Sequence, residues 1–146
     1  MIRLRSATLD DLAELLPRTR ALNAHEGIEI SDELLERALR RLLSDASLGA
    51  AWLVEDGGAI GYAITTYGYD LEFGGRDAYL TELWIDEERR GRGAATAVLE
   101  QLPHELRARD VRALHLQVRP ENPARRLYER SGFVASPRLV MTRRLA

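Results

Sequence analysis

The chain has 146 residues, 21 basic and 23 acidic side chains, a formal net charge of −2 and no cysteine. A chain of this size buries about 68–70% of its unfolded surface, so one core in a single domain spanning residues 1–146 is expected. Near-neutral charge argues against a dedicated nucleic-acid protein. The lack of cysteine excludes a disulfide scaffold, a thiolate metal site and a thiol nucleophile. No apolar run approaches the ~20 residues of a membrane span. Met1 leads directly into the alternating Ile2-Arg3-Leu4-Arg5 rather than a signal peptide, so a cytoplasmic location is expected. His104 and His115 lack ligand-spaced partners, and no metal is expected.

Residues 2–6 alternate apolar and basic side chains, which predicts a first strand. Thr8 followed by Asp10 and Asp11 predicts a helix start, with Leu12, Leu15, Leu16, Thr19 and Leu22 as its buried stripe. Pro17 lies inside that pattern, removes one helical hydrogen bond and predicts a kink or break near residues 13–17. Ser31 and Asp32 open a second helix carrying Leu34, Leu35, Ala38, Leu39, Leu42 and Leu43. Residues 50–55 and 59–66 read as strands joined by Asp56-Gly57-Gly58, a tight hairpin turn. A second turn at residues 73–77 leads into an aromatic and branched run, Tyr79–Ile85, which reads as a strand.

The stretch Arg89-Arg90-Gly91-Arg92-Gly93-Ala94-Ala95-Thr96 joins that strand to a helix expected from about Gly91 to Arg109, kinked by Pro103. The first amides of a helix have no partner within it and, aided by the dipole, favour an anion. Gly91 and Gly93 lack a Cβ and let a phosphate approach the backbone, while three arginines add positive charge. A diphosphate ligand fits this turn; an arginine-rich solvated turn with glycines chosen for positive φ is the plain alternative. Neither a P-loop nor a three-glycine dinucleotide fingerprint is present. Residues 112–118 read as a further strand, 122–130 as a short helix, and 133–135 and 138–145 as two closing strands. The order β-α-α-β-β-β-α-β-α-β-β predicts an α/β (α+β) mixed sheet of about seven strands with helices on both faces.

These residues carry a resemblance. Arg90-Gly91-Arg92-Gly93-Ala94-Ala95 resembles the Arg/Gln-x-x-Gly-x-Gly/Ala motif of the GNAT N-acetyltransferase superfamily, preceded at the right distance by Leu80-Thr81-Glu82-Leu83-Trp84-Ile85. Downstream, Leu114–Val118 and then Ala124-Arg125-Arg126-Leu127-Tyr128, ending in Gly132-Phe133, are similar to the family's second signature. The resemblance implies that acetyl-CoA is the co-substrate. Its diphosphate would rest on Arg90, Gly91, Arg92, Gly93, Ala94, Ala95 and Thr96, and its pantetheine arm would pair with Leu83, Trp84 and Ile85 where two parallel strands splay. It places the thiolate-protonating tyrosine at Tyr128 and a carboxylate base at Glu82. The slot usually held by Asn is Glu121; Asn122, one residue later, is the candidate cap and cofactor contact, with Pro123 suited to a first helical turn. His25 and Glu26 fall where the family's acceptor pocket is commonly walled, although a solvated helix end is the plainer explanation of them. A homodimer is also implied.

Transfer of an acetyl group from a thioester to an amine needs an uncharged amine and a proton for the leaving thiolate. Holding a lysine-like amine of pKa ~10.4 neutral at pH 7 costs about 4–5 kcal/mol, so a base or a desolvating pocket is required. A phenol of pKa ~10 is protonated at neutral pH and serves as the acid. Glu82, counted on one strand face with Leu80 and Trp84, has apolar neighbours that raise a carboxylate pKa. Being about six units weaker as a base than the amine, it suits a relay through water. Structural readings stand beside these: Tyr128 as a core aromatic, Glu82 as an ion-paired strand charge. Tyr67, Tyr69, Asp70 and Glu72 suit a cationic substrate or an ordinary hairpin tip. The expected function is direct acetyl transfer to a primary amine of a small molecule or an exposed amino group. The alternatives are a non-catalytic acyl-CoA-binding regulatory module of the same fold and a cofactor-free interaction domain.

Overall fold

A computed structural model describes all 146 residues. Strand β1 (Arg3–Ser6) leads through a 3-10 turn at Leu9–Asp11 into α1 (Leu12–Glu26), followed by α2 (Asp32–Ser44). Three strands come next, β2 (Gly49–Glu55), β3 (Ala59–Asp70) and β4 (Gly75–Ile85), then α3 (Ala94–Arg107), β5 (Ala113–His115) and α4 (Ala124–Arg130). The sheet runs β1-β2-β3-β4-β5, antiparallel throughout except for the parallel β4–β5 pair across the α3 crossover.

Local chemistry accounts for most of these boundaries. Thr8 and Asp11 form a reciprocal capping box, so the first helical residues are a 3-10 turn that feeds α1. Gly27, at φ +69°, ends α1 in a left-handed cap that alanine tolerates poorly. Ser31 caps α2 by accepting the Leu34 amide at 3.2 Å. Pro17 and Pro103 both lie inside unbroken helices, so the break allowed for at Pro17 does not occur. Each proline removes a single interior hydrogen bond, and Leu15, Leu16 and Leu22 around Pro17, like Leu99, Leu102 and Leu106 around Pro103, are buried.

The sheet separates two apolar layers, so helices cover both faces as expected. On one face Val98, Leu99, Leu102 and Leu106 of α3 pack on Leu4, Trp52, Val54, Ile60 and Leu80. On the other, Leu15, Leu16 and Leu22 of α1 and Leu39 of α2 pack on Ala51, Leu53, Tyr62 and Ile64. Alternation along β2 sends Trp52 and Val54 one way and Ala51 and Leu53 the other.

Five strands form rather than about seven, and the element order stops short of the expected final pair. Residues 133–135 and 138–145 take no strand conformation, and Val134, Leu139, Met141 and Leu145 are exposed. The strand expected over 112–118 shortens to Ala113–His115. A strand needs a partner edge as well as an alternating pattern, and a three-residue β5 offers little edge. The helix expected from Gly91 begins at Ala94, because Gly93 is held at φ +82°.

Register between β3 and β4 contains a bulge: Ile64 pairs with Glu82 but Thr65 with Leu80, leaving Thr81 as the extra residue. The bulge resets the alternation. Leu80, Leu83 and Ile85 share the α3 face, whereas Trp84 packs with the α1/α2 layer. Glu82 therefore shares a face with Trp84 but not with Leu80. Across from this segment, Gly61 pairs with Ile85 at a point where a Cβ would overlap the Trp84 carbonyl oxygen. Gly61→Ala is expected to lower unfolding stability by about 1–3 kcal/mol in urea titration, because backbone must move to admit one methyl.

Candidate active site

The parallel ladder between β4 and β5 is short. Asp77, Ala78 and Tyr79 pair with Ala113, Leu114 and His115, and beyond that point the strands no longer pair. β3 continues to pair with β4 as far as Ile85. The edge of β4 that faces β5 is thus open from Leu80 to Ile85, and Leu83, Trp84 and Ile85 lie along it.

At the end of that edge lies the glycine turn. Gly91 and Gly93 have φ values of +75° and +82°, and nothing lies within 4 Å of where either Cβ would stand. The amides of six consecutive residues, Gly91, Arg92, Gly93, Ala94, Ala95 and Thr96, find no acceptor within the chain; the first bond of the region runs from the Ala97 amide to the Gly93 carbonyl at 3.0 Å. Unpaired N–H groups in sequence at the mouth of a helix form a cradle for anionic oxygens. The donor set suits an anion such as a diphosphate.

The arginines divide. Arg90 turns back from the cradle: its Nε donates to the Ile85 carbonyl at 2.8 Å, and its guanidinium lies 4.6 Å from the Trp84 ring centre. Arg89 approaches Asp56 at 3.8 Å. Arg92 is exposed and makes no ion pair, which leaves it as the charge free to meet a phosphate. The entry to the turn is fixed from below. Arg18 of α1 donates to both carboxylate oxygens of Asp86, at 2.9 and 2.7 Å, and to the Ala59 carbonyl at 3.0 Å. Asp86 also accepts the Trp84 indole N–H at 3.3 Å. A fork of this kind on a half-buried carboxylate holds the turn's geometry.

Glu82 is held as a single well-defined group. The hydroxyl of fully buried Tyr62 donates to its Oε1 at 2.6 Å. Burial raises the Glu82 pKa, and the Tyr62 hydrogen bond pulls partly the other way by favouring the ionised form. Burial and the charge of Glu82 push the Tyr62 phenol up, so it remains a donor. Tyr62 is a candidate site residue that the sequence did not reveal, because only the pairing of β3 with β4 brings it to Glu82.

Tyr128, on α4, is half-buried. It meets Phe133 edge-on at 6.0 Å and packs with Leu127 against the α3-side core, while its hydroxyl has no partner in the chain. Burial raises its pKa, and the charge of Glu26 adds to the effect. His25, next to Glu26 at the end of α1, meets Trp84 edge-on at 6.1 Å. The C-terminus of α1 thus reaches β4 at Trp84, two residues from Glu82 in sequence. Glu82 and Tyr128 share no hydrogen bond: Glu82 is bonded to Tyr62 of the α1/α2 layer, whereas Tyr128 packs against the α3-side core.

Asn122 stands before α4, and its Oδ1 accepts the Ala124 amide at 2.9 Å. Pro123 rather than Asn122 is the residue flanking the helix, so the side chain closes a turn that starts the helix one residue later than expected. His115 has a partner the sequence did not suggest: its Nε2 lies 3.0 Å from Oδ2 of buried Asp77, and its ring rests near Phe73 and Tyr79.

The acetyltransferase (GNAT) family profile matches residues 10–133. A search of curated proteins finds no significant match. Among solved structures, a predicted acetyltransferase from Clostridium acetobutylicum with acetyl-CoA superposes with a TM-score of 0.80 at 24% identity, covering 98% of this chain and 96% of that one. A ribosomal-protein-alanine N-acetyltransferase from Brucella melitensis biovar Abortus 2308 gives 0.78 at 21% identity, with 98% and 99% covered. An aminoglycoside N-acetyltransferase in complex with CoA gives 0.82 at 18% identity, with 100% and 96% covered. At these identities the likeness is one of fold.

Proposed function

Because this chain belongs to the GNAT acetyltransferase family, we propose that it transfers the acetyl group of acetyl-CoA directly to an amine, on a small molecule or an exposed amino group. The observation that carries this reading is the run of six unpaired amides from Gly91 to Thr96 at the end of an open β4 edge. Those amides and Arg92 hold the diphosphate; Leu83, Trp84 and Ile85 line the arm, with Arg90 bracing the turn and Asn122 flanking it. Two of the structural neighbours, one acting on ribosomal-protein alanine and one on an aminoglycoside, acetylate amines of quite different molecules. Their shared fold supports the common step and leaves the acceptor to each protein's own pocket.

Acetyl-CoA supplies the activated acyl group, and the chain supplies proton handling. Glu82, its ionised form favoured by Tyr62, draws a proton from the ammonium form of the acceptor through ordered water. Its pKa is raised by burial, which narrows the gap to the amine. Tyr128, kept protonated by burial, donates to the departing thiolate. His25 and Glu26 border the acceptor's approach. No covalent intermediate on the protein is required.

The test is to mix protein, acetyl-CoA and a panel of primary amines and follow free thiol. Amine-dependent release supports the proposal; saturable acetyl-CoA binding without turnover on any amine makes the protein a regulatory acyl-CoA binder instead. Absence of thermal stabilisation by coenzyme A removes the cofactor altogether, since a ligand of the folded state alone raises apparent stability.

Gly93→Val gives a sharper check of the cradle. A β-branched residue at φ +82° is strained by about 1–2 kcal/mol and turns the amides away. Coenzyme A affinity, measured by calorimetry, is expected to fall about tenfold or more, because ~1.4 kcal/mol corresponds to a factor of ten.

A further inference from the structure

At the end of the sheet remote from the glycine turn, a cavity of about 310 Å³ opens between α2, the first residues of β2 and the chain just past α3. Its walls include Leu42, Leu43 and Ala46, and its polar side is Tyr67, Arg76 and Arg109. α3 separates this cavity from the six-amide cradle by about 20 Å, the length of a fourteen-residue helix. Nothing in the transfer chemistry uses it.

Two cations meet there. Arg76 donates from Nη1 to the Arg109 carbonyl at 3.1 Å, so the two residues are adjacent. The Arg76 guanidinium lies 4.7 Å from the Tyr67 ring centre and that of Arg109 4.6 Å from the Trp52 ring centre. Both are half-buried and oriented by flat aromatic faces. One acid serves the pair: Glu105 approaches Arg109 at 3.0 Å from the preceding helical turn, and Arg76 has no carboxylate partner. Burial raises the Tyr67 phenol, while the charges of Arg109 and Arg76 pull it back down, consistent with a locally positive wall. Two orientationally fixed guanidiniums with one carboxylate between them have spare N–H donors and spare charge, facing a cavity whose wall is about half apolar, from leucine and alanine side chains.

We propose that this cavity binds a small organic monocarboxylate with a compact apolar body, its carboxylate on Arg76, Arg109 and the Tyr67 hydroxyl and its body against Leu42, Leu43 and Ala46. The planar fork of arginine matches a carboxylate. A phosphate of equal charge would leave the aliphatic wall uncovered, and a neutral ligand would leave the cations unmatched.

Benzoate is the probe, with benzyl alcohol and inorganic phosphate as controls, each titrated into the full chain and followed by melting temperature and calorimetry. Benzoate is expected to bind saturably and raise the melting temperature, while benzyl alcohol and phosphate do so at least tenfold more weakly. Arg76→Gln is expected to weaken benzoate at least tenfold. Ala46→Phe, which puts a ring into the exposed rim and leaves both arginines in place, is expected to weaken it similarly and serves if the arginine variant folds poorly. Coenzyme A binding should be unchanged in Ala46→Phe, so failure here and failure of the acetyl-transfer reading are separable. Equal binding of phosphate, an unaltered benzoate affinity in Ala46→Phe, or no saturable benzoate binding would each overturn the proposal.

Discussion

Tyr128→Phe is expected to lower kcat by roughly 10²–10⁴-fold, the range general-acid catalysis supplies, while the affinity for acetyl-CoA changes little. Phenylalanine keeps the ring that meets Phe133 and packs with Leu127 against the α3-side core. The hydroxyl it removes has no hydrogen-bond partner in the chain, so no internal contact is lost. Folding stability should therefore be nearly unchanged or slightly higher, since a polar group in a half-buried position is deleted. Burial and the charge of Glu26 both raise the Tyr128 pKa, so the phenol carries its proton at neutral pH and can give it to the thiolate. Comparing initial rates of thiol release with calorimetric acetyl-CoA affinity separates the two effects. Unchanged turnover would leave Tyr128 as a core aromatic only.

Glu82→Gln is expected to lose activity while gaining, or at least keeping, stability at neutral pH. The sign follows from the titration. The folded-state pKa of Glu82 is raised by burial, so the folded chain holds its proton more tightly than the unfolded chain. The resulting stabilisation is fully present below the ordinary carboxylate pKa and is lost as pH rises through the folded value. Glutamine removes that loss and still accepts the Tyr62 hydroxyl. Tyr62→Phe acts in the opposite sense: it takes away the hydrogen bond that favours the ionised carboxylate. The acid limb of kcat/KM should then move to higher pH, and stability at neutral pH should fall. Rate–pH profiles of wild type and Tyr62→Phe, with urea melts of all three proteins, test both statements. If Glu82 were merely a structural charge, Glu82→Gln would destabilise the fold and the acid limb would not follow Tyr62.

How far the molecule was legible from its residues depended on whether the relevant interaction was local. The turn from Arg89 to Thr96, the hairpin at Asp56–Gly58 and the caps at Thr8 and Ser31 are written in neighbouring residues, and each forms where its chemistry requires. The Thr81 bulge is different. No glycine marks it, and strict alternation places Leu80, Glu82 and Trp84 together; only pairing with Ile64 and Thr65 shows the reset. Tyr62 and Asp77 escaped notice for the same reason, because their partners Glu82 and His115 come from other strands. The C-terminal segment shows the converse error. Leu139 and Met141 alternate as a strand would, but periodicity defines a face and not a partner, and these side chains are exposed. Arginine-rich composition also overstated the turn: Arg89 and Arg90 are engaged with Asp56, Ile85 and Trp84, so the backbone amides and Arg92 are the groups left for an anion.

A crystal structure with coenzyme A bound is the most direct measurement. Diphosphate oxygens should lie within hydrogen-bond distance of amides between Gly91 and Thr96, the arm beside Leu83–Ile85, and the sulfur within reach of the Tyr128 hydroxyl. A diphosphate bound elsewhere, or a sulfur that Tyr128 cannot approach, would contradict the account.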